Sequence, residues 1–360
     1  MSKKTLMVLA ALVVALLAAL WKSGKTDSSP AVKSEGEGQA LLPGVELSTL
    51  SMMEIQEGSS TTHLEIVDGI WCVAEQENAP ADFNRLRGLI RSMDEMKRGQ
   101  VAETGDSHLA EYGLADGGDG STVRITLKHA KGTTILRLGK MRESQRREGY
   151  WVPPGGRYAR VDDGPILLLK EDMRMAQASA EVWWDRTLLE VAPESIRNVS
   201  VQTGEESFVL ELGTNGVISL VGAGDGERVN GEAAHRLFGA VRSLRADKIL
   251  PIAKEVGLAF SKTTSFQAET EGATYRIQLG DSVPELGEGR PIRMAVEVSS
   301  GATPEQQAAA VAVAKKINGR TFMIPAYLAD SLSPKRDSLL QRPESVPETA
   351  PEMPPVPVVE

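Results

Sequence analysis

Few residues in this chain are of the right type and spacing to do chemistry. The stretch VISLVGAGDGERVNGEAAHRLF, Val217 to Phe238, reads as strand, glycines, helix, the opening of a dinucleotide-binding turn. Such a turn needs a third glycine where helix and strand pack closely, and Glu227 stands there instead. A glycine-rich loop between a hairpin and a helix is therefore expected. DGGDGS, Asp116 to Ser121, offers carboxylates for calcium. It lacks the alternating ligands and the distant glutamate of an EF-hand loop, so a turn is expected. His63, His108, His129 and His235 show no ligand spacing, and His235, beside Arg236, is expected at the surface. The one cysteine, Cys72, excludes an internal disulfide and a multi-cysteine metal site. It follows Trp71 in an expected strand, where burial as a small hydrophobe is the expectation. No serine occurs in GxSxG, and no pair of carboxylates stands out by its spacing. Arg142, Arg146 and Arg147 form a basic loop before Tyr150-Trp151, either a site for an acidic partner or a solvated loop. No residue is assigned a catalytic, cofactor-binding or metal-binding role, and no cofactor is expected.

Elements of ordinary globular type must carry these residues. A length of 360 residues allows about two domains, and 41% hydrophobic residues allow sizeable cores. A formal charge of −9 argues against nucleic acid as a partner, because phosphate binding calls for a basic surface.

The N-terminus sets the expected location. After MSKK, the run TLMVLAALVVALLAALW from Thr5 to Trp21 carries no charge. As a helix it rises about 25 Å, slightly short of a hydrocarbon core of about 30 Å. Trp21 can sit at the interface and Lys22 can snorkel. An uncleaved anchor over residues 1–21 is the expectation, ahead of a cleaved signal peptide, because no small-x-small site ends the run. Residues 22–46 read as a flexible linker rich in Ser, Gly, Lys and Glu. From Ser333 to Glu360 seven prolines predict a disordered or extended tail.

Between these segments the chain resembles itself. RLRGLIRSM (85–93) is answered by RLFGAVRSL (236–244), and LEIVDGIWCV (64–73) by LELGTNGVISL (210–220). EYGL (111–114) is answered by EVGL (255–258), TTILRLG (133–139) by ATYRIQLG (273–280), and RYARV (157–161) by RTFMI (320–324). Five matches in one order predict two tandem α+β repeats, residues 47–170 and 193–332, joined by a connection at 171–192. Each is expected to be a mainly antiparallel sheet with one packed helix. Asp68-Gly69 and Asn215-Gly216 are hairpin turns. Phe83, Leu86, Leu89, Ile90 and Met93 form the apolar face of the first helix, and Leu237, Val241 and Leu244 that of the second. Pro80 suits the first turn of the first helix, with Asp82 near its positive end. Asn230 is expected to cap the second. Thr303, Pro304 and Gln306 start an inserted helix near 304–317. Gly88 and Gly239 fall in mid-helix, where glycine costs about 1 kcal/mol against alanine. They mark either a close contact on the back of each helix or simple inheritance from one ancestor.

The order of motifs resembles the domain of unknown function 4340 family. The residues that carry the resemblance are Gly69-Ile70-Trp71, Tyr112-Gly113-Leu114, Leu138-Gly139, Tyr150-Trp151-Val152 and Asp185-Arg186-Thr187-Leu188-Leu189. The resemblance implies an N-terminally anchored envelope protein, often encoded beside an ABC transporter similar to the gliding-motility type, and it implies no catalytic residues. The expected function is non-enzymatic: an accessory or interaction subunit of an envelope assembly such as an ABC transport system. Its expected partners are the membrane and an ABC permease or other envelope protein. The expected location is the bacterial inner membrane, single-pass, with the bulk of the chain periplasmic. A glycan- or peptide-binding envelope module is the alternative.

Overall fold

The computed structural model describes residues 36–115, 122–142, 155–251, 258–260 and 264–341. The expected anchor, DGGDGS, Arg146, Arg147, Tyr150-Trp151, most of EVGL and the chain beyond Gln341 lie outside the described residues. Among the described residues no helix is long and apolar enough to cross a membrane.

In chain order the strands are β1 (Met52–Glu57), β2 (Ser60–Val67), β3 (Ile70–Val73), β4 (Ala79–Pro80), β5 (Gln100–Glu103), β6 (Val123–His129), β7 (Gly132–Met141), β8 (Arg157–Val161) and β9 (Ile166–Leu169). They continue with β10 (Thr187–Leu189), β11 (Ile196–Thr203), β12 (Glu206–Leu212), β13 (Ile218–Leu220), β14 (Leu244–Arg245), β15 (Lys248–Leu250), β16 (Thr264–Thr270), β17 (Ala273–Leu279), β18 (Arg290–Val298) and β19 (Thr321–Ile324). The helices are α1 (Phe83–Glu95), α2 (Gly231–Phe238), α3 (Pro304–Ile317) and α4 (Ala326–Leu332). The fold is α+β and mostly antiparallel sheet, as expected.

The described chain forms two compact units, residues 36–60 with 88–178, and residues 61–87 with 179–341. The division expected from the sequence, 47–170 and 193–332, cuts the chain differently. Segment 61–87 groups with the second half because its backbone bonds there. Asp82 N–H donates to the Trp183 carbonyl at 2.6 Å, and Asp185 N–H donates to that of Pro80 at 2.8 Å.

In the first unit six strands lie side by side in the order β1-β6-β7-β8-β9-β5. The pleat sends alternate residues to opposite faces. Ile55 faces Ile125, Ile125 faces Leu136, and all three are fully buried. In the second unit the order is β13-β12-β11-β16-β17-β18-β19-β15. There Phe208, Val201, Phe266, Ile277 and Met294 form one buried row across five strands.

Local sequence explains most ends and turns. Val67 pairs with Ile70 around Asp68 and Gly69, both at positive φ (51° and 80°), the tight turn that Asp-Gly favours. The second hairpin is longer than expected. Leu212 pairs with Ile218, and the Asn215 side chain closes the loop by accepting Val217 N–H at 3.1 Å. Asp82, not Pro80, starts α1: its carboxylate accepts Arg85 N–H at 3.0 Å, while Pro80 lies in β4. Leu86, Leu89 and Met93 are buried, but Phe83 is 63% exposed, with the Arg87 guanidinium over its ring. Asn230 caps α2, and Thr303 with Gln306 forms a capping box on α3.

Two further expectations change. Gly88 lies inside α1, and a Cβ there would approach Met175 Cε at 2.9 Å, whereas Gly239 is the C-cap of α2 with open space around it. The two glycines therefore share no common contact. Part of the tail expected from Ser333 is folded: Arg336–Leu339 form a 3₁₀ turn, Leu339 is buried, and its carbonyl accepts Asn230 N–H at 2.8 Å. A buried leucine anchors the chain despite the neighbouring prolines.

Candidate functional site

The most elaborate polar site in the second unit is built on Trp183-Trp184-Asp185-Arg186. Trp183 is wholly buried, with the Arg85 guanidinium 4.9 Å above its ring. Trp184 stacks on Phe322 at 6.4 Å and carries Arg186 at 5.9 Å. Asp185 accepts Thr187 N–H at 3.0 Å through one carboxylate oxygen and pairs with Lys316 of α3 through the other. Arg85, Trp184, Asp185, Arg186 and Lys316 line a groove of about 640 Å³. Arg85, Arg186, Arg245 and Lys316 there face Asp82, Asp185 and Glu190, so the lining is slightly basic. Such a recess can receive an acidic side chain.

One arginine secures the end of α3. Arg320 Nη1 donates to the carbonyls of Lys315 and Lys316 at 3.2 and 2.9 Å, capping the last turn of α3. Its Nη2 donates to the carbonyls of Glu77 and Asn78, both at 3.0 Å. Those two residues have φ of 53°, so the arginine secures a left-handed stretch. Burial lowers the Arg320 pKa, and burial raises that of the Cys72 thiol. The buried Cys72 thus stays a thiol, as a small core hydrophobe.

A second feature occurs once in each unit. Arg157 Nε donates to the Gly139 carbonyl at 2.8 Å, and Arg290 Nε to that of Gly280 at 2.9 Å. Each arginine follows a glycine at positive φ, Gly156 (119°) and Gly289 (139°). A Cβ on Gly156 would collide with the Leu169 carbonyl oxygen, and on Gly289 it would lie 2.5 Å from that of Ile324. The Gly-Arg dipeptide alone is a weak signal for these turns, since Gly319-Arg320 makes a different contact. The expected match is RYARV to RTFMI. In the structure RYARV is β8, beside β7, while the strand beside β17 is β18, Arg290–Val298. Helix α3, between β18 and β19, displaced the match by one strand.

The remaining candidates are spoken for. His63 and His108 bond Glu75 and Glu103, each at 2.5 Å, His129 bonds Thr134, and His235 is exposed as expected. Among the described residues no group of three His, Cys, Asp or Glu could hold a metal. In the glycine-rich loop, Glu227 accepts Gly224 N–H at 2.8 Å and takes a bidentate bond from Arg336 at 2.8 and 2.6 Å. The carboxylate thus fills the loop that a phosphate would need. Its hydrogen bonds to Arg336, then to Gly224, hold its pKa down at about 2, against 4.5 in the unfolded chain. A depressed carboxylate stabilises the fold above 4.5 and loses that contribution as pH falls toward 2. The thermal midpoint of Glu227→Gln will therefore lie below the parent's at neutral pH and converge on it between pH 4.5 and 2. A gap that stays constant through that window would refute the linkage.

A family model described as a domain of unknown function, DUF4340, matches residues 71–264. No curated protein and no solved structure matches the chain. The matched span contains the Trp183–Arg186 junction and the Gly139–Arg157 contact, and it stops before the Gly280–Arg290 contact.

Proposed function

We propose that this chain, which belongs to the DUF4340 family, is a membrane-anchored extracytoplasmic protein that works without a reaction of its own. It serves as an accessory or interaction subunit of an envelope assembly, such as an ABC transport system. The observation that carries this reading is exposed aliphatic surface at the end of the β2-β3 hairpin, where Ile66, Val67 and Ile70 are 44%, 37% and 37% exposed around the Asp68-Gly69 turn. Val217 and Val221, 59% and 51% exposed, flank β13 at its two ends. Aliphatic side chains grouped at a turn mark a place for a protein partner. The uncharged run at 5–21 supports the anchor, and an anchor raises the effective concentration of the chain near a membrane partner.

Two series of strands, which do not coincide with the two compact units, also read as copies of one ancestral series. The strand order β1-β6-β7-β8-β9-β5 corresponds to β11-β16-β17-β18-β19-β15, and the β2-β3 hairpin to β12-β13. The paired Gly-Arg turns fall at the same step of each series.

The test is purification of the C-terminally tagged chain from native membranes in mild detergent, followed by mass spectrometry. Recovery of a permease or another envelope protein is expected. It should be lost in Ile66→Ser/Ile70→Ser/Val217→Ser/Val221→Ser, whose changes are all at exposed positions. Recovery of the chain by itself would end the subunit reading.

A further inference from the structure

The face of the eight-stranded sheet opposite the buried row carries a different chemistry. Ser207, Gln202, Ser265, Gln278 and Arg293 stand in register across β12, β11, β16, β17 and β18. Two residues along each strand, Val209, Ser200, Gln267, Arg276 and Ala295 make the next row. Together they line a concavity of about 570 Å³. Ser200, Gln202, Ser207, Ser265 and Gln278 make no side-chain hydrogen bond among the described residues, although each can both donate and accept. Gln267 accepts from Arg276 at 3.1 Å, and Arg276 is neutralised by Glu297. Arg293 donates to Thr321 at 3.1 Å and lies 4.4 Å over the Phe260 ring, which borders the field.

We propose that this concavity binds a neutral oligosaccharide. Sugar hydroxyls both donate and accept, and an amide-and-hydroxyl array on adjacent strands, about 4.8 Å apart, offers several such pairings at once. Other partners fit less well. A polyanion would meet Glu211, Glu269 and Glu297 in the third row, with Arg276 already paired. An amphipathic helix needs an apolar groove, and in the two rows on this face only Val209 and Ala295 are apolar, the other apolar lining residues belonging to the buried row. An extended peptide adds to a sheet edge, whereas this is a face. The site stands apart from the hairpin ends, so this inference and the subunit reading can fail separately.

The experiment is titration calorimetry of the full-length chain in a zwitterionic, non-glycosidic detergent. The probes are maltohexaose, cellohexaose and N-acetylchitohexaose. Hydrogen bonds with a net worth of about 1 kcal/mol each place the expected dissociation constant on the order of 1 mM for at least one probe. Gln202→Ala/Gln278→Ala should weaken it at least about tenfold with the thermal midpoint unchanged, since both side chains are exposed. No binding of any probe at about 10 mM would overturn the proposal, since that lies tenfold above the expected constant. Binding that survives the double variant would overturn it equally.

Discussion

Trp183→Ala will lower stability by about 3–5 kcal/mol. The indole is wholly buried, so its removal leaves a cavity the size of the largest side chain. Two linked contacts are lost with it. Arg85 loses the ring it lies over, and the Trp183 carbonyl that accepts Asp82 N–H loses the packing that positions it. Asp82 is also the cap of α1, so the damage extends to the helix start. Trp183→Phe keeps a ring beneath Arg85 and should cost less than half as much. Urea unfolding of the two variants checks this. A loss below about 1 kcal/mol for Trp183→Ala would mean that the junction can collapse onto the space, contrary to close packing.

Gly156→Ala will cost about 2–4 kcal/mol, and Gly289→Ala a similar amount. Both positions have positive φ, where a side chain is strained in any surroundings. At both a Cβ also points at a backbone carbonyl, Leu169 at one and Ile324 at the other, which cannot swing aside as a side-chain end could. The strain falls where Arg157 and Arg290 bond back to Gly139 and Gly280, so those arginines should lose their partners. Gly155→Ala is the control. Its Cβ would meet only Arg142 Cδ at 3.5 Å, an ordinary contact, and its cost should stay below about 1 kcal/mol. Denaturant midpoints of the three variants decide the matter. Equal losses at Gly155 and Gly156 would refute the account.

The residues at issue show what kind of information a sequence holds. Local chemistry was legible in advance. Asn230 and the Thr303–Gln306 box cap helices as read, because a cap involves only neighbours within a turn. The Asp68-Gly69 turn is as read for the same reason. Glu227 in place of a glycine already argued against a phosphate loop.

Non-local partners were not legible. Nothing near Trp183 in the chain announces that Asp82, about a hundred residues earlier, bonds its carbonyl. Lys316 and Arg320 look like ordinary surface cations until α3 sets them against Asp185 and the Glu77–Asn78 carbonyls. The free amides and hydroxyls of Gln202, Ser265 and Gln278 are scattered in sequence and meet only through strand register. By itself the sequence determined composition, the Asp68-Gly69 turn, the Asn230 and Thr303 caps and the family's motifs, all set by residues or by interactions along a few residues of chain. Only the tertiary structure decided that segment 61–87 packs with the second unit, which strands lie beside RYARV, and which polar side chains share one face of the sheet. Those outcomes depend on long-range pairing, where burial and hydrogen-bond satisfaction over the whole sheet outweigh any local preference.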